Sequence, residues 1–80
     1  HGILIYQENS VLYVKSDLSD PLLSVSLFDS QGRLLLQHTV ETPGMASEIS
    51  CALPILGEER MVAVKVISEK SQTVRKLFIK

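Results

Sequence analysis

Along most of this chain, large apolar residues alternate with polar ones at a period of two, not the three to four of an amphipathic helix. In "LLSVSLFD" the phase puts Leu23, Val25 and Leu27 on one side and Ser24 and Ser26 on the other, as in a half-buried strand. "RMVAVKVIS" repeats the scheme, with Val62, Val64 and Val66 inward and Ala63 and Lys65 outward. In "VLYVK", Leu12 and Val14 oppose Val11 and Tyr13, so both faces of that strand carry apolar surface to cover. β-Branched and aromatic side chains, which fit a pleated surface, crowd these runs. No stretch keeps helical spacing long enough to predict a helix.

Turn signals separate the runs: "QENS" at 7–10, "SDLSDP" at 16–21, "DSQG" at 29–32, "ETPG" at 41–44, "LPILGEE" at 53–59 and "SEKSQ" at 68–72. Pro21, Pro43 and Pro54 all fall in these predicted loops, where a missing N–H does no harm. "DSQG" is the most legible, because Asp29 can accept forward from the backbone and Gly32 can supply the positive φ of a three-residue hairpin loop with its bulge. About seven short strands with such turn spacing predict an all-β fold. An immunoglobulin-like antiparallel β-sandwich fits best, with a small barrel as its rival.

Eighty residues make a single domain, 1–80, at the small end of the range. A 45% hydrophobic composition argues against disorder. No apolar run approaches the roughly 20 residues of a membrane helix, so direct membrane insertion is not expected. Cys51 is the one cysteine; it cannot form an intrachain disulfide and shares a strand face with Ile49, where it reads as a small hydrophobe. His1-Gly2 leads straight into "ILIY" with no initiator Met, which suggests a piece of a longer protein.

The net charge of −1 is unevenly spread. Residues 60–80 hold Arg60, Lys65, Lys70, Arg75, Lys76 and Lys80 against Glu69, a local +5, while residues 1–59 set Lys15 and Arg33 against eight acids, a local −6. Two readings stand: bases on the wet face of strands, or a basic edge that steers an acidic partner.

Catalysis would need a nucleophile, a base and an orienting group, or a metal. With His1 set aside, His38 is the only histidine, and no His/Cys cluster has zinc-ligand spacing. The glycines at 2, 32, 44 and 57 form no phosphate loop. Four aromatics, Tyr6, Tyr13, Phe28 and Phe78, on a slightly acidic chain argue against nucleic acid. The expectation is a non-catalytic binding, addressing or structural module with no cofactor and no metal.

Four pieces in order carry a resemblance: "ILIYQENSVLYVKS", "VSLFDSQGRLLLQ", "LPILGEERMVAVKV" and a closing "KLFIK". Together they resemble the C-terminal sorting domain of type IX secretion (Por secretion) cargo proteins of Bacteroidetes, over nearly the whole chain. Phe28, Asp29, Gly32 and Arg33 match the family's hairpin motif. Leu53 and Gly57 match its approach to a valine-rich strand, represented here by Val64 and Val66. Lys76, Leu77, Phe78, Ile79 and Lys80 match its terminal Lys-apolar-apolar-apolar-Lys. "YQEN" keeps Tyr6 and Asn9 of the family's Tyr-Pro-Asn-Pro without either proline, Val62 replaces a customary tyrosine, and the loop after Gly57 is about three residues longer.

The resemblance implies an immunoglobulin-like address label. Its bearer would pass from the periplasm through the outer-membrane translocon, meeting a β-barrel shuttle and a sortase, and reach the cell surface or the medium. Arg75, Leu77 and Ile79 alternate with Val74, Lys76, Phe78 and Lys80, so one face of that strand can close the core while the other meets a partner. Its edge could also pair with another sheet or with a second copy, giving a dimer. The departures leave open a domain retained on a secretion-system component, with a partner-binding or signalling role. A surface spacer or adhesion domain is the further alternative.

Overall fold

The computed structural model describes residues 2–17, 19–53 and 61–79. It is all-β there, with seven strands: β1 (Leu4–Glu8), β2 (Val11–Lys15), β3 (Leu22–Phe28), β4 (Leu34–Thr39), β5 (Glu48–Ala52), β6 (Met61–Ser68) and β7 (Gln72–Phe78). They form two antiparallel sheets, one ordered β1-β2-β5 and the other β4-β3-β6-β7. This is the immunoglobulin-like sandwich that the strand pattern predicts, in the variant where the fourth strand joins the third. In the constant-domain arrangement it would extend the first sheet instead.

Period-two patterning explains how the core fills. Ile5, Leu12, Val14 and Ile49 from the smaller sheet meet Leu22, Val25, Leu27, Val62, Val64 and Val66 from the larger, and Ile79 seals one end. Leu12, Val14 and Val64 are wholly buried, so each contributes roughly 1.5–3 kcal/mol of transfer free energy. Leu35, Leu36, Leu53, Leu77 and Cys51 pack around the margin.

The phase of β3 departs from the simple alternation. Leu22, not Leu23, is the buried residue, because the register to β6 shifts between Leu22 and Ser24 and leaves Leu23 as the extra residue of a bulge. Ser26 is buried as well, on an inner strand between Gln37 and Lys65. The smaller sheet covers its outer face with a cross-strand pair: the Tyr6 and Tyr13 rings stack at 5.1 Å. Lys15 Nζ stands 5.7 Å from the Tyr6 ring centre and pairs with Glu48 at 3.4 Å. That accounts for the apolar second face of β2.

The "QENS" signal is a two-residue hairpin in which Asn9 and Ser10 both take positive φ, 52° and 65°. At the opposite end, loops are stitched together by Asp20. Its Oδ1 accepts from the Lys70 N–H at 2.8 Å, and its Oδ2 accepts from the Ser68 hydroxyl at 2.8 Å and the Ser71 hydroxyl at 3.2 Å. Most of the predicted "LPILGEE" turn, Gly57 included, lies outside the described residues.

Candidate recognition surface on the terminal strand

Among the described residues, strand β7 is an edge strand, paired with β6 alone. Its register to β6 joins Val62 to Leu77, Val64 to Arg75 and Val66 to Thr73. Those β6 valines point inward, so Leu77 and Arg75 take the core-facing phase, while Val74, Lys76 and Phe78 project from the outer face. Leu77 is half-buried and Ile79 buried, whereas Val74 is 60% and Phe78 56% exposed. The expected division of faces holds with one correction: Arg75 has the core-facing phase but is exposed, because the sheet ends there and leaves it open to solvent. Lys80 lies outside the described residues.

The "DSQG" hairpin joins β3 to β4 in the same sheet, with β6 between it and β7. Asp29 Oδ1 accepts from the N–H groups of Gln31 and Arg33, each at 2.9 Å, and its Oδ2 accepts from Arg33 Nε at 2.8 Å. The main chain closes the loop, with the Asp29 N–H donating to the Arg33 carbonyl and the Gly32 N–H to the Asp29 carbonyl. Gly32 has φ of 83°, as the loop requires. The Arg33 N–H, then its guanidinium and the Gln31 N–H, outweigh burial and hold the Asp29 carboxyl below the ordinary aspartate range.

Cross-strand register carries Phe28 onto the outer face opposite Ala63, and Ala63 opposite Lys76. Phe78 lies opposite Met61 in the adjacent row, and Leu34 flanks Phe28. A shallow groove of about 480 Å³ runs between the hairpin and the terminal strand, lined by Phe28, Asp29, Gly32, Met61, Ala63 and Lys76. Two motifs more than 40 positions apart in sequence therefore share one concavity. The remaining motif residues are distributed otherwise. Asn9 sits in the β1–β2 turn at the same end, and the Leu53 N–H donates to the Ser10 carbonyl at 2.9 Å. Tyr6 covers the other sheet, and Val64 and Val66 are core.

Three contributors escape a reading of the sequence. Gln7 Nε2 donates to the Phe78 carbonyl at 2.7 Å and ties the end of β7 to the opposite sheet. Met61 and Leu34, 39% and 53% exposed, extend the apolar outer face. Their positions follow from strand register, which period-two patterning leaves undetermined. Lys65, directly opposite Val74, adds a second base to that face.

His38 is exposed on β4, and Cys51 is half-buried opposite Leu12. Among the described residues no cluster of three or more His, Cys, Asp or Glu could hold a metal ion. Comparison of the chain with family models, with curated proteins and with solved structures finds no match.

Proposed function

We propose that this domain is a non-catalytic address label that directs the polypeptide carrying it across an outer membrane through a type IX secretion system. The surface recognised is the outer face of β7 with the neighbouring hairpin. The partners are proteins of that system, an outer-membrane β-barrel shuttle, the translocon and a sortase. The bearer passes through the periplasm and ends at the cell surface or in the medium.

The observation that supports this reading best is the exposure of Val74 and Phe78 on an edge strand whose core-facing phase holds Leu77 and Ile79. A strand that only closed a core would have little reason to present a half-exposed valine and phenylalanine around a lysine. Isolated exposed apolar residues are ordinary, but a contiguous set with a basic rim has the composition of a contact surface.

The test is export of a fusion to this domain, compared with a variant carrying Lys76→Glu and Phe78→Ser. Both side chains lie outside the core, so the variant should fold while recognition fails. Removal of residues 76–80 is a weaker control, because it deletes Leu77 and Ile79 from the packing.

A further inference from the structure

Among the described residues no strand lies along the outer edge of β7, so alternate N–H and C=O groups along it face away from β6. The Gln7 bond to the Phe78 carbonyl sets the phase: it is the groups of Val74, Lys76 and Phe78 that point outward. Register to β6 is continuous from Met61–Phe78 to Ile67–Gln72, and the strand contains no proline. Bulges and prolines are the usual devices that spoil an edge for pairing. What guards this edge is charge, together with the Gln7 side chain that caps the Phe78 carbonyl at its end.

That charge is also selective. Arg75 projects at the open margin and Lys76 and Lys65 on the outer face, with no carboxylate in ion-pair contact among the described residues. A second β7 brought alongside would set base against base, which disfavours self-pairing. A strand with two successive acids would place one on each side of the sheet, facing Lys76 and Arg75, with apolar neighbours opposite Val74 and Phe78. The other three edges offer no such match, since β1 ends in Glu8, β5 carries Glu48, already paired with Lys15, and β4 has no lysine or arginine from Leu34 to Thr39.

From this we infer that the outer edge of β7 takes up an extended, acidic strand of a partner protein, which joins the four-stranded sheet as a fifth strand. The inference rests on the address-label reading for the system to which the partner belongs. Gln7 occupies the Phe78 carbonyl in the free domain, so the incoming strand pairs first along Val74 and Lys76 and displaces Gln7 as it completes.

The probe is a synthetic peptide of roughly eight residues, threonine and valine alternating around a central Glu-Glu pair, titrated into isotope-labelled domain at low ionic strength. Saturable binding is expected, with slowed amide exchange at Val74 and Lys76, and affinity about tenfold lower for the same peptide with Lys-Lys at its centre. Lys76→Pro, which removes an outward N–H, and the double variant Arg75→Glu with Lys76→Glu, which leaves the core untouched, should each weaken binding by about tenfold or more. Absence of saturable binding, equal binding of the Lys-Lys peptide, protection at the β4 or β5 edge instead, or dimerisation through β7 in sedimentation would each overturn the inference. Export of the fusion without peptide binding would remove strand addition and leave the address label. Peptide binding without export would do the reverse.

Discussion

Gln7 and Phe78 stand 71 positions apart, yet the Gln7 side chain donates to the Phe78 carbonyl at 2.7 Å. This bond joins the first strand of one sheet to the last strand of the other and satisfies an edge carbonyl that would otherwise face water. Because the site is exposed, Gln7→Ala should cost no more than about 1 kcal/mol in urea unfolding. Amide exchange should quicken at the end of β7 and stay unchanged where β6 meets Val74 and Thr73. A loss that spreads along the whole β6–β7 ladder would show that Gln7 does more than close one end.

Both hairpin turns favour glycine, so a substitution that adds one and a substitution that removes one should move stability in opposite directions. Ser10 holds a φ of 65° without glycine's freedom, so Ser10→Gly should raise stability by roughly 0.5–1 kcal/mol. Gly32 has a φ of 83°, and a Cβ there would meet no atom within 4 Å. The cost of Gly32→Ala is therefore conformational, roughly 1–2 kcal/mol. Denaturant midpoints of the two variants moving the same way would contradict this account of the turns.

The turns also show what could be read from the letters. Asp29, Gly32 and the flanking alternation specify the β3–β4 hairpin through local chemistry alone, and the structure forms it as expected. Inward valines on β6 were equally plain, since one burial phase serves the whole strand. The Leu22/Leu23 exchange was not, because a bulge reverses the phase without leaving a mark in an apolar pair. Nor was the groove between hairpin and terminus. It depends on which residues stand opposite across three strands, and Gln7 at Phe78 depends on how two sheets pack.

Acid should unfold the domain through its loop aspartates. Asp29 is held low chiefly by the Arg33 N–H, and Asp17 by the Ser19 hydroxyl. At Asp20 burial pulls upward but is outweighed by the Lys70 N–H and the hydroxyls of Ser68 and Ser71. Each folded value lies below the unfolded one, so their stabilisation is complete above about pH 4 and is lost as pH falls through the folded values. Stability measured against pH should be flat between about 5 and 7 and then fall, and Asp29→Asn should reduce the size of that fall. A profile that declines instead between pH 7 and 5 would point to a group other than these carboxylates.

Cys51 should be a slow thiol. Burial pushes its ionisation above the ordinary range, and it packs at the margin of the core opposite Leu12. At pH 8, alkylation of the folded domain should be at least about tenfold slower than that of the urea-unfolded chain. Comparable rates would mean that the sheet margin opens readily there.

The central claim is that recognition for export is carried by the exposed face of β7. The measurement that bears on it most directly is surface and medium fluorescence of a periplasm-targeted fluorescent protein fused to residues 1–80, in a bacterium with an active type IX system. The same fusion with Lys76→Glu and Phe78→Ser, and a strain lacking the translocon, complete the comparison. The account predicts translocon-dependent export of the unaltered fusion and periplasmic retention of the variant, with matching circular dichroism for the two domains. Retention of the unaltered fusion, or equal export of both, would contradict it.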